Sequence, residues 1–194
     1  WFDISAGSNF GTSSTFIYMA IRAPMMKEPE AGTDVFAVDS SGSTGDGNAP
    51  EFRSTFPVDM GWYRPVASSE NMNISSRLTQ GKSMKTNLTS VEGTFGIYEF
   101  DYMDGFFTST STSSSTYGWM FKRAKGFFDV VAYTGDGVAG RTVNHSLGVA
   151  PEMIWVKRRN SAGYYWAVYY GVNTSLLQLN ENAAPITAQY HWNS

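Results

Sequence analysis

The chain has 194 residues, of which 42% are hydrophobic, 15% aromatic and only 16% charged. This composition predicts a packed globular protein and argues against disorder. A net charge of −3 and an isoelectric point of about 5.3 offer no basic surplus for phosphate, so nucleic acid is not an expected partner. The absence of cysteine excludes disulfides and thiolate metal sites, and no apolar run reaches the ~18 residues of a membrane span, so no membrane insertion is expected.

Short apolar segments rich in β-formers recur along the whole sequence. In chain order, the predicted strands are 16–22, 34–38, 61–64, 72–77, 94–100, 117–122, 127–133, 153–157, 164–170 and 175–179. Glycine- and serine-rich turns separate them, and no window of a dozen residues has helical spacing. The run of Ser and Thr at 108–116 favours a long loop within one sandwich over a flexible or O-glycosylated tether. The pattern predicts an all-β protein, an antiparallel β-sandwich or jelly roll.

Three pairs of segments read as diverged copies of one another. The pairs are 59–64 with 152–157, 14–23 with 115–124, and 44–47 with 134–137, at offsets of 93, 101 and 90 residues. A period near a hundred residues is a domain length. We therefore expect tandem repeats, cut at both ends of the chain. Residues 1–24 would be the closing strands of a preceding repeat, 25–125 a β-sandwich repeat, and 126–194 the start of a following one.

One predicted strand concentrates aromatic side chains on both of its faces. One face must pack on a core, whereas the other could cover a neighbouring domain or stack on sugar rings, since amphipathic rings serve either purpose. Packing is the favoured interpretation. The candidate glycan or interface residues are Tyr164, Tyr165, Trp166 and Tyr169.

Catalytic patterns are weak in this sequence. Glu99 and Asp101 would lie on one face of a strand at roughly 6.6 Å, a spacing within the range of inverting glycosidases. Any alternating strand shares that spacing, so a solvent-facing acidic edge is favoured. The two histidines, His145 and His191, stand in no nucleophile motif. We expect no catalytic residues and no enzymatic activity.

A metal site has one weak candidate. Asp39, Asp46 and Asn48 surround a glycine-rich stretch that could hold calcium. Their spacing is not that of an EF-hand loop, and Asx residues favour turns for reasons of their own. We expect no metal and no cofactor.

Two short motifs carry a resemblance to a known family. They are Tyr-Thr-Gly at 133–135 and Ser-Leu-Gly-Val-Ala-Pro at 146–151, followed by the predicted strand 153–157. In this order they resemble repeat proteins of tailed bacteriophages, marine and cyanobacterial phages above all, which are virion structural or tail-fibre-like proteins. The resemblance covers about 117–194 well and the earlier repeat loosely, with Ser146 where glycine is common. It implies a lectin-like jelly-roll sandwich on a virion, with no assigned catalytic residues.

Repeats, a polar uncharged surface and this resemblance together predict a structural module of a phage virion appendage, such as a tail fibre. It would reside in the virion and associate with itself, with other virion proteins and with a host-surface glycan through multivalent weak binding. One alternative is a capsid-decorating or head-fibre scaffold without a receptor. Another is a carbohydrate-binding or adhesin module of a secreted bacterial protein, and a tailspike glycosidase is the least favoured.

Overall fold

The computed structural model describes residues 28–40, 50–66, 69–79, 81–95, 98–108, 116–138, 140–172, 174–187 and 192. Strands and bridges account for 34% of these residues, and helical turns for 4%. Both helical turns are short 3-10 turns, Gly32–Asp34 and Arg77–Thr79. Within the described ranges no helix is long and apolar enough to cross a membrane.

Twelve strands form three sheets in which all pairings are antiparallel. The strands are β1 (Phe36–Ser40), β2 (Phe52–Arg53), β3 (Met60–Pro65), β4 (Asn73–Ser76), β5 (Met84–Lys85), β6 (Tyr98–Glu99), β7 (Gly105–Thr108), β8 (Thr116–Phe121), β9 (Ile154–Val156), β10 (Ala167–Tyr169), β11 (Ser175–Gln178) and β12 (Ile186–Thr187). The sheet orders are β1-β8-β3-β4-β5, β2-β7-β6 and β12-β11-β10-β9. The predicted all-β class with antiparallel sheets is confirmed.

The main core lies between the five-stranded and three-stranded sheets. Phe52 and Phe106, paired across β2 and β7, are fully buried and stack with ring centroids 5.0 Å apart. Glycines on the facing strands allow this close approach: a Cβ at Gly61 would stand 2.9 Å from the Phe106 ring, and one at Gly118 would stand 2.6 Å from the Phe52 ring. The two sheets therefore stack face to face over an aromatic core.

The opposite face of the five-stranded sheet is covered by the C-terminal part of the chain. Trp62 stacks on Phe121 with ring centroids 5.1 Å apart and meets Trp155 of β9 at 5.3 Å. Trp166 inserts among the buried side chains of this face and donates its indole N–H to the Lys85 carbonyl at 3.0 Å. The second apolar cluster thus joins the two parts of the chain, and its buried members are Met60, Ile74, Met84 and Trp166.

The meanders β3-β4-β5 and β9-β10-β11 share one pairing scheme. Where both meanders are paired, the second follows the first by 93 or 94 residues at each position. The correspondence extends to an isolated bridge in the first meander and a β11–β12 pair in the second. A backbone hydrogen bond is shared as well, since Thr86 N–H donates to the Met72 carbonyl at 3.0 Å and Leu179 N–H to the Trp166 carbonyl at 3.1 Å. The corresponding positions are Trp62 and Trp155, Ile74 and Val168, Met84 and Leu177, Ser83 and Leu176, and Gly93 and Ile186.

Most predicted strands that fall in the described ranges are found. β3, β4, β8, β9 and β11 confirm the predictions at 61–64, 72–77, 117–122, 153–157 and 175–179. β1 begins two residues later than predicted, after the 3-10 turn. Among the described residues of 94–100 the strand is β6, and within 164–170 it is β10. β2, β5, β7 and β12 were not predicted. The predicted strand 16–22, the repeat segments 14–23 and 44–47, and residues 109–115 of the Ser/Thr run lie outside the described residues.

The strand predicted at 127–133 is wrong. Only a single bridge between Ala124 and Phe128 forms there. The Asp129 carboxylate accepts hydrogen bonds from Arg123 Nε at 2.6 Å, Val130 N at 2.9 Å and Ser146 N at 2.7 Å, and so organises a loop. No strand of the described chain pairs with 129–133, and a strand pattern without a neighbour has no ladder to join.

Candidate functional site

The four predicted aromatic residues fall into three environments. Trp166 is 4% exposed and belongs to the cluster between the two parts of the chain. Tyr169 is half-buried and its ring lies 5.4 Å from the Trp192 ring. Tyr164 and Tyr165 line an open cleft, with Tyr164 47% exposed. The structure therefore brings two of the four together and places the other two in packing contacts.

The cleft has a volume of about 490 Å³ and lies on one face of β9 and β10. The Arg158 guanidinium carbon stands 4.5 Å from the Tyr164 ring centroid, a cation–π contact, while its Nε donates to Asn160 Oδ1 at 3.2 Å. Gly163 has φ of +84°, a conformation that favours glycine, and its N–H donates to the Thr89 carbonyl at 3.0 Å. The lining residues are Val156, Arg158, Gly163, Tyr164, Tyr165 and Ala167.

The three basic residues at 157–159, beside the cleft, make different contacts. Arg159 binds Glu92 through Nε at 2.5 Å and through Nη2 at 3.1 Å, and these hydrogen bonds are the main cause that raises the pKa of Arg159. Lys157 donates to the Arg158 carbonyl at 3.1 Å, and partial burial lowers the pKa of its ammonium group. Arg158 is the residue of the three that faces the cleft.

The Glu92–Arg159 pair makes a testable contribution to stability. Glu92 is only 8% exposed in its side chain, while Arg159 is 40% exposed, so the pair is screened on one side. We expect Glu92→Gln to lower the free energy of unfolding by about 1 kcal/mol, less than a fully buried pair would lose. Urea denaturation followed by circular dichroism measures it. Lys82→Gln is the matched control, because Lys82 Nζ stands 3.9 Å from Glu92 Oε1 and is 57% exposed; an equal loss there would contradict the assignment.

The carboxylates considered for glycoside hydrolysis have structural partners or face solvent. Glu99 accepts a hydrogen bond from the Tyr102 hydroxyl at 3.2 Å, and burial together with this contact raises the pKa of Tyr102. The Asp101 side chain is 97% exposed and lies 3.9 Å from Arg77 Nη1. Neither carboxylate lines the cleft beside β9 and β10.

The remaining candidates also have local partners. Asp39 accepts backbone hydrogen bonds from Ser40 and Arg53, at 2.9 and 2.8 Å. His145 Nδ1 accepts one from Leu147 N at 3.3 Å. Within the described ranges no group of three or more His, Asp or Glu residues could hold a metal ion. Asp46, Asn48 and His191 lie outside the described residues.

Sequence reasoning missed the non-aromatic half of the cleft. Val156 and Ala167 face it because they are paired across β9 and β10 and so lie on one face of the sheet. The alternation of 153–157 indicates which of its residues share a face of the strand. The sequence does not show that this strand pairs with the aromatic segment, and that pairing is what forms the cleft. In the sequence, Arg158 belongs to the basic run 157–159 at the end of a predicted strand, and nothing in that run indicates a cleft.

Comparisons with known proteins give a single finding. Residues 107–194 match the model of a family described as a domain of unknown function, DUF7483. The match begins within β7 and continues through β8 and the second meander. No curated protein and no solved structure matches the chain.

Proposed function

We propose that this protein is a non-enzymatic structural module built from repeated β units. The observation that carries this proposal is the shared pairing scheme of β3-β4-β5 and β9-β10-β11, displaced by 93 or 94 residues. Unrelated hairpins have no reason to preserve a register to within one residue across three strands, because register depends on each turn and each hydrophobic pattern separately. We also propose the boundaries 25–125 and 126–194 for the second and third repeats.

A further pair of segments supports the repeats. Residues 34–38 read Asp-Val-Phe-Ala-Val and residues 129–133 read Asp-Val-Val-Ala-Tyr, an offset of 95. Most of the first segment lies in β1, which pairs with β8, whereas the second has no partner strand among the described residues. The same pattern thus forms a strand where a neighbour is available. The lectin-like jelly-roll topology of each unit belongs to this proposal.

The proposed place of the module is a virion appendage, such as the tail fibre of a phage. The low charge, the serine- and threonine-rich composition and the resemblance at 133–157 support this assignment. Repeated β units present sheet edges and apolar faces that a neighbour must cover, so self-association follows. Such a module contributes to host attachment by displaying several weak sites at once, which raises avidity without a strong single site.

Attachment is tested by display in multiple copies. The chain is coupled through a terminal biotin to tetrameric streptavidin, labelled, and applied to a panel of marine bacterial and cyanobacterial cells. We expect the tetramer to bind at least one strain about tenfold or more above the monomer, as avidity dictates. Streptavidin carrying the heat-denatured chain is the control. Binding to no strain contradicts an attachment role.

A second candidate function, carbohydrate binding, is favoured by the exposed Tyr164 ring with Arg158 stacked on it. Aromatic faces bind sugar rings, and a guanidinium binds carboxylated sugars in particular. A glycan array that includes uronic acids tests it: Tyr164→Ala should abolish any signal, and Tyr133→Ala, also an exposed tyrosine beside an arginine, should leave it unchanged. An array without signal contradicts this candidate.

A further inference from the structure

We propose that the cleft-bearing face of β9, β10 and β11 is an acceptor surface for a covering sheet, and that its occupant is an aromatic strand pair of the β6–β7 kind from a further copy of the repeat. This inference rests on the repeat organisation proposed above. It assigns the cleft containing Tyr164 and Tyr165 to assembly of the β units.

The equivalent face of the first meander shows what such a surface carries. In β3, Gly61 lies under the Phe106 ring, and Tyr63 stacks on Phe52 at 6.3 Å. Phe100, next to β6, adds to the cover and lies 5.6 Å from Phe106. The three-stranded sheet β2-β7-β6 therefore closes this face in the first unit.

The shared register identifies the same face in the second meander. Ile154 and Val156 stand 93 residues after Gly61 and Tyr63, and Ala167 and Tyr169 are their partners across β9 and β10. All four are half-buried. The floor of the cleft is the part formed by Val156 and Ala167. An open cleft thus occupies the position that a packed core occupies in the first unit.

The beginning of a cover is already present at one end of this face. Leu176, on the same face as Tyr169, is fully buried. Trp192 lies against Tyr169 at 5.4 Å and donates its indole N–H to the Ser175 carbonyl at 3.1 Å. Trp192 follows Glu99 of β6 by 93 residues. By this offset Trp192 corresponds in sequence to β6, a strand of the covering sheet of the first unit. The cleft is the part of the face that remains open.

Shape and chemistry at the cleft suit an aromatic strand pair. Val156 and Ala167 replace the larger Tyr63 and Asn73 of the first unit, so room for a ring lies directly above them. Ile154 stands at the position of Gly61, where a side chain excludes a ring placed as Phe106 is, so an incoming ring must lie over Val156 and Ala167, which line the cleft. Val156 and Ala167 have no polar side-chain atoms, so this floor gains more from burying apolar rings than from hydroxyl-rich sugars, although Arg158 and the tyrosines at its edge can hydrogen-bond.

The test uses the full chain and a synthetic peptide with the sequence of residues 98–108, which includes Phe100 and Phe106. Binding is followed by fluorescence anisotropy of the labelled peptide, and hydrogen exchange locates it. We expect saturable binding and slower exchange at 154–156 and 167–169. A peptide with both Phe100 and Phe106 changed to Ser should bind at least about tenfold more weakly, whereas one with Phe107→Ser should bind within about twofold of the original.

Variants of the chain make the location specific. Ala167→Arg places a charge on the cleft floor and should weaken peptide binding at least about tenfold. Val138→Arg adds the same charge at a position that is 65% exposed and distant in sequence, and should change nothing. Should Ala167→Arg fail to fold by circular dichroism, Tyr165→Ser removes a lining ring and should weaken binding by a similar factor.

Three results would overturn the inference. They are no saturable binding of the peptide, equal binding to the cleft variants and the wild type, and slower exchange confined to β3 and β4, which would show exchange into the first unit. Uronate binding that Tyr164→Ala abolishes, without peptide binding, would assign the cleft to sugars. None of these assays uses host cells, so a failure of the attachment proposal is distinguishable from a failure of this one.

Discussion

Replacing Phe106 by Ala should lower the free energy of unfolding by about 3–5 kcal/mol, the range for removing a fully buried phenylalanine. Phe106 is 0% exposed and lies between the rings of Phe52, at 5.0 Å, and Phe100, at 5.6 Å. Deleting it leaves a cavity whose walls are backbone and other rings. Since domains are stable by only about 5–15 kcal/mol, this is a large share of the total. Urea denaturation monitored by circular dichroism measures the change.

Two variants sharpen this prediction. Phe107→Ala, the next residue in β7, is half-buried on the opposite side of the strand and should cost about 1 kcal/mol. Gly61→Ala should cost about 1–3 kcal/mol by overpacking, because the new methyl would stand 2.9 Å from the Phe106 ring. In the Phe106→Ala background the same methyl enters the cavity, so Gly61→Ala should cost less there. Additive costs would contradict the contact between these two positions.

The all-β class and most of the strands could be predicted because they rest on local signals. β3, β8 and β9 carry dense β-formers and end at turns, and both properties are visible in any short window. β2, β5 and β12 are two residues long, below the length at which alternation can be recognised. β7 has four residues, but its last residue is the first of the Ser/Thr run, so the sequence gives no clear boundary for a strand there.

The error at 127–133 has a different cause. The segment has the composition of a strand, yet a strand also needs a partner, and pairing is a property of the fold. In place of strand pairing, the Asp129 carboxylate accepts three hydrogen bonds, two of them from backbone N–H groups, and these stabilise a loop. Sequence patterns therefore predict which segments can be strands more reliably than which segments find a neighbour.

The candidate site shows the same division. The aromatic segment was identified from composition, but the separation of Trp166 from Tyr164 and Tyr165 depends on what lies on each side of the sheet. The sequence predicted that one face of the segment packs on a core, and Trp166 does so. Whether the other face covers a neighbouring domain or binds sugar stays a prediction. Arg158 lines the cleft because β9 pairs with β10, and this pairing cannot be predicted from a short stretch of sequence.

The junction between the two meanders gives the second large prediction. Trp166→Ala should cost about 3–5 kcal/mol, because the indole is 4% exposed among Met60, Ile74 and Met84. Its N–H also satisfies the Lys85 carbonyl at 3.0 Å. The substitution weakens the packing between the two meanders, so the second meander should open more often. Hydrogen exchange should therefore accelerate at 154–156, 167–169 and 175–178. Amides of β3 and β8 should stay protected, since the core around Phe106 is untouched.

Matched variants separate the ring from its hydrogen bond. Trp166→Phe keeps most of the apolar area and leaves the Lys85 carbonyl without its donor, so it should cost about 1–3 kcal/mol. Tyr164→Ala, two residues away and 47% exposed, should cost about 0.5 kcal/mol or less. Uniform acceleration of exchange in both meanders of Trp166→Ala would show that the chain unfolds as one unit. In that case the second meander is part of the first core, and its role as a separate repeat docked through Trp166 would be wrong.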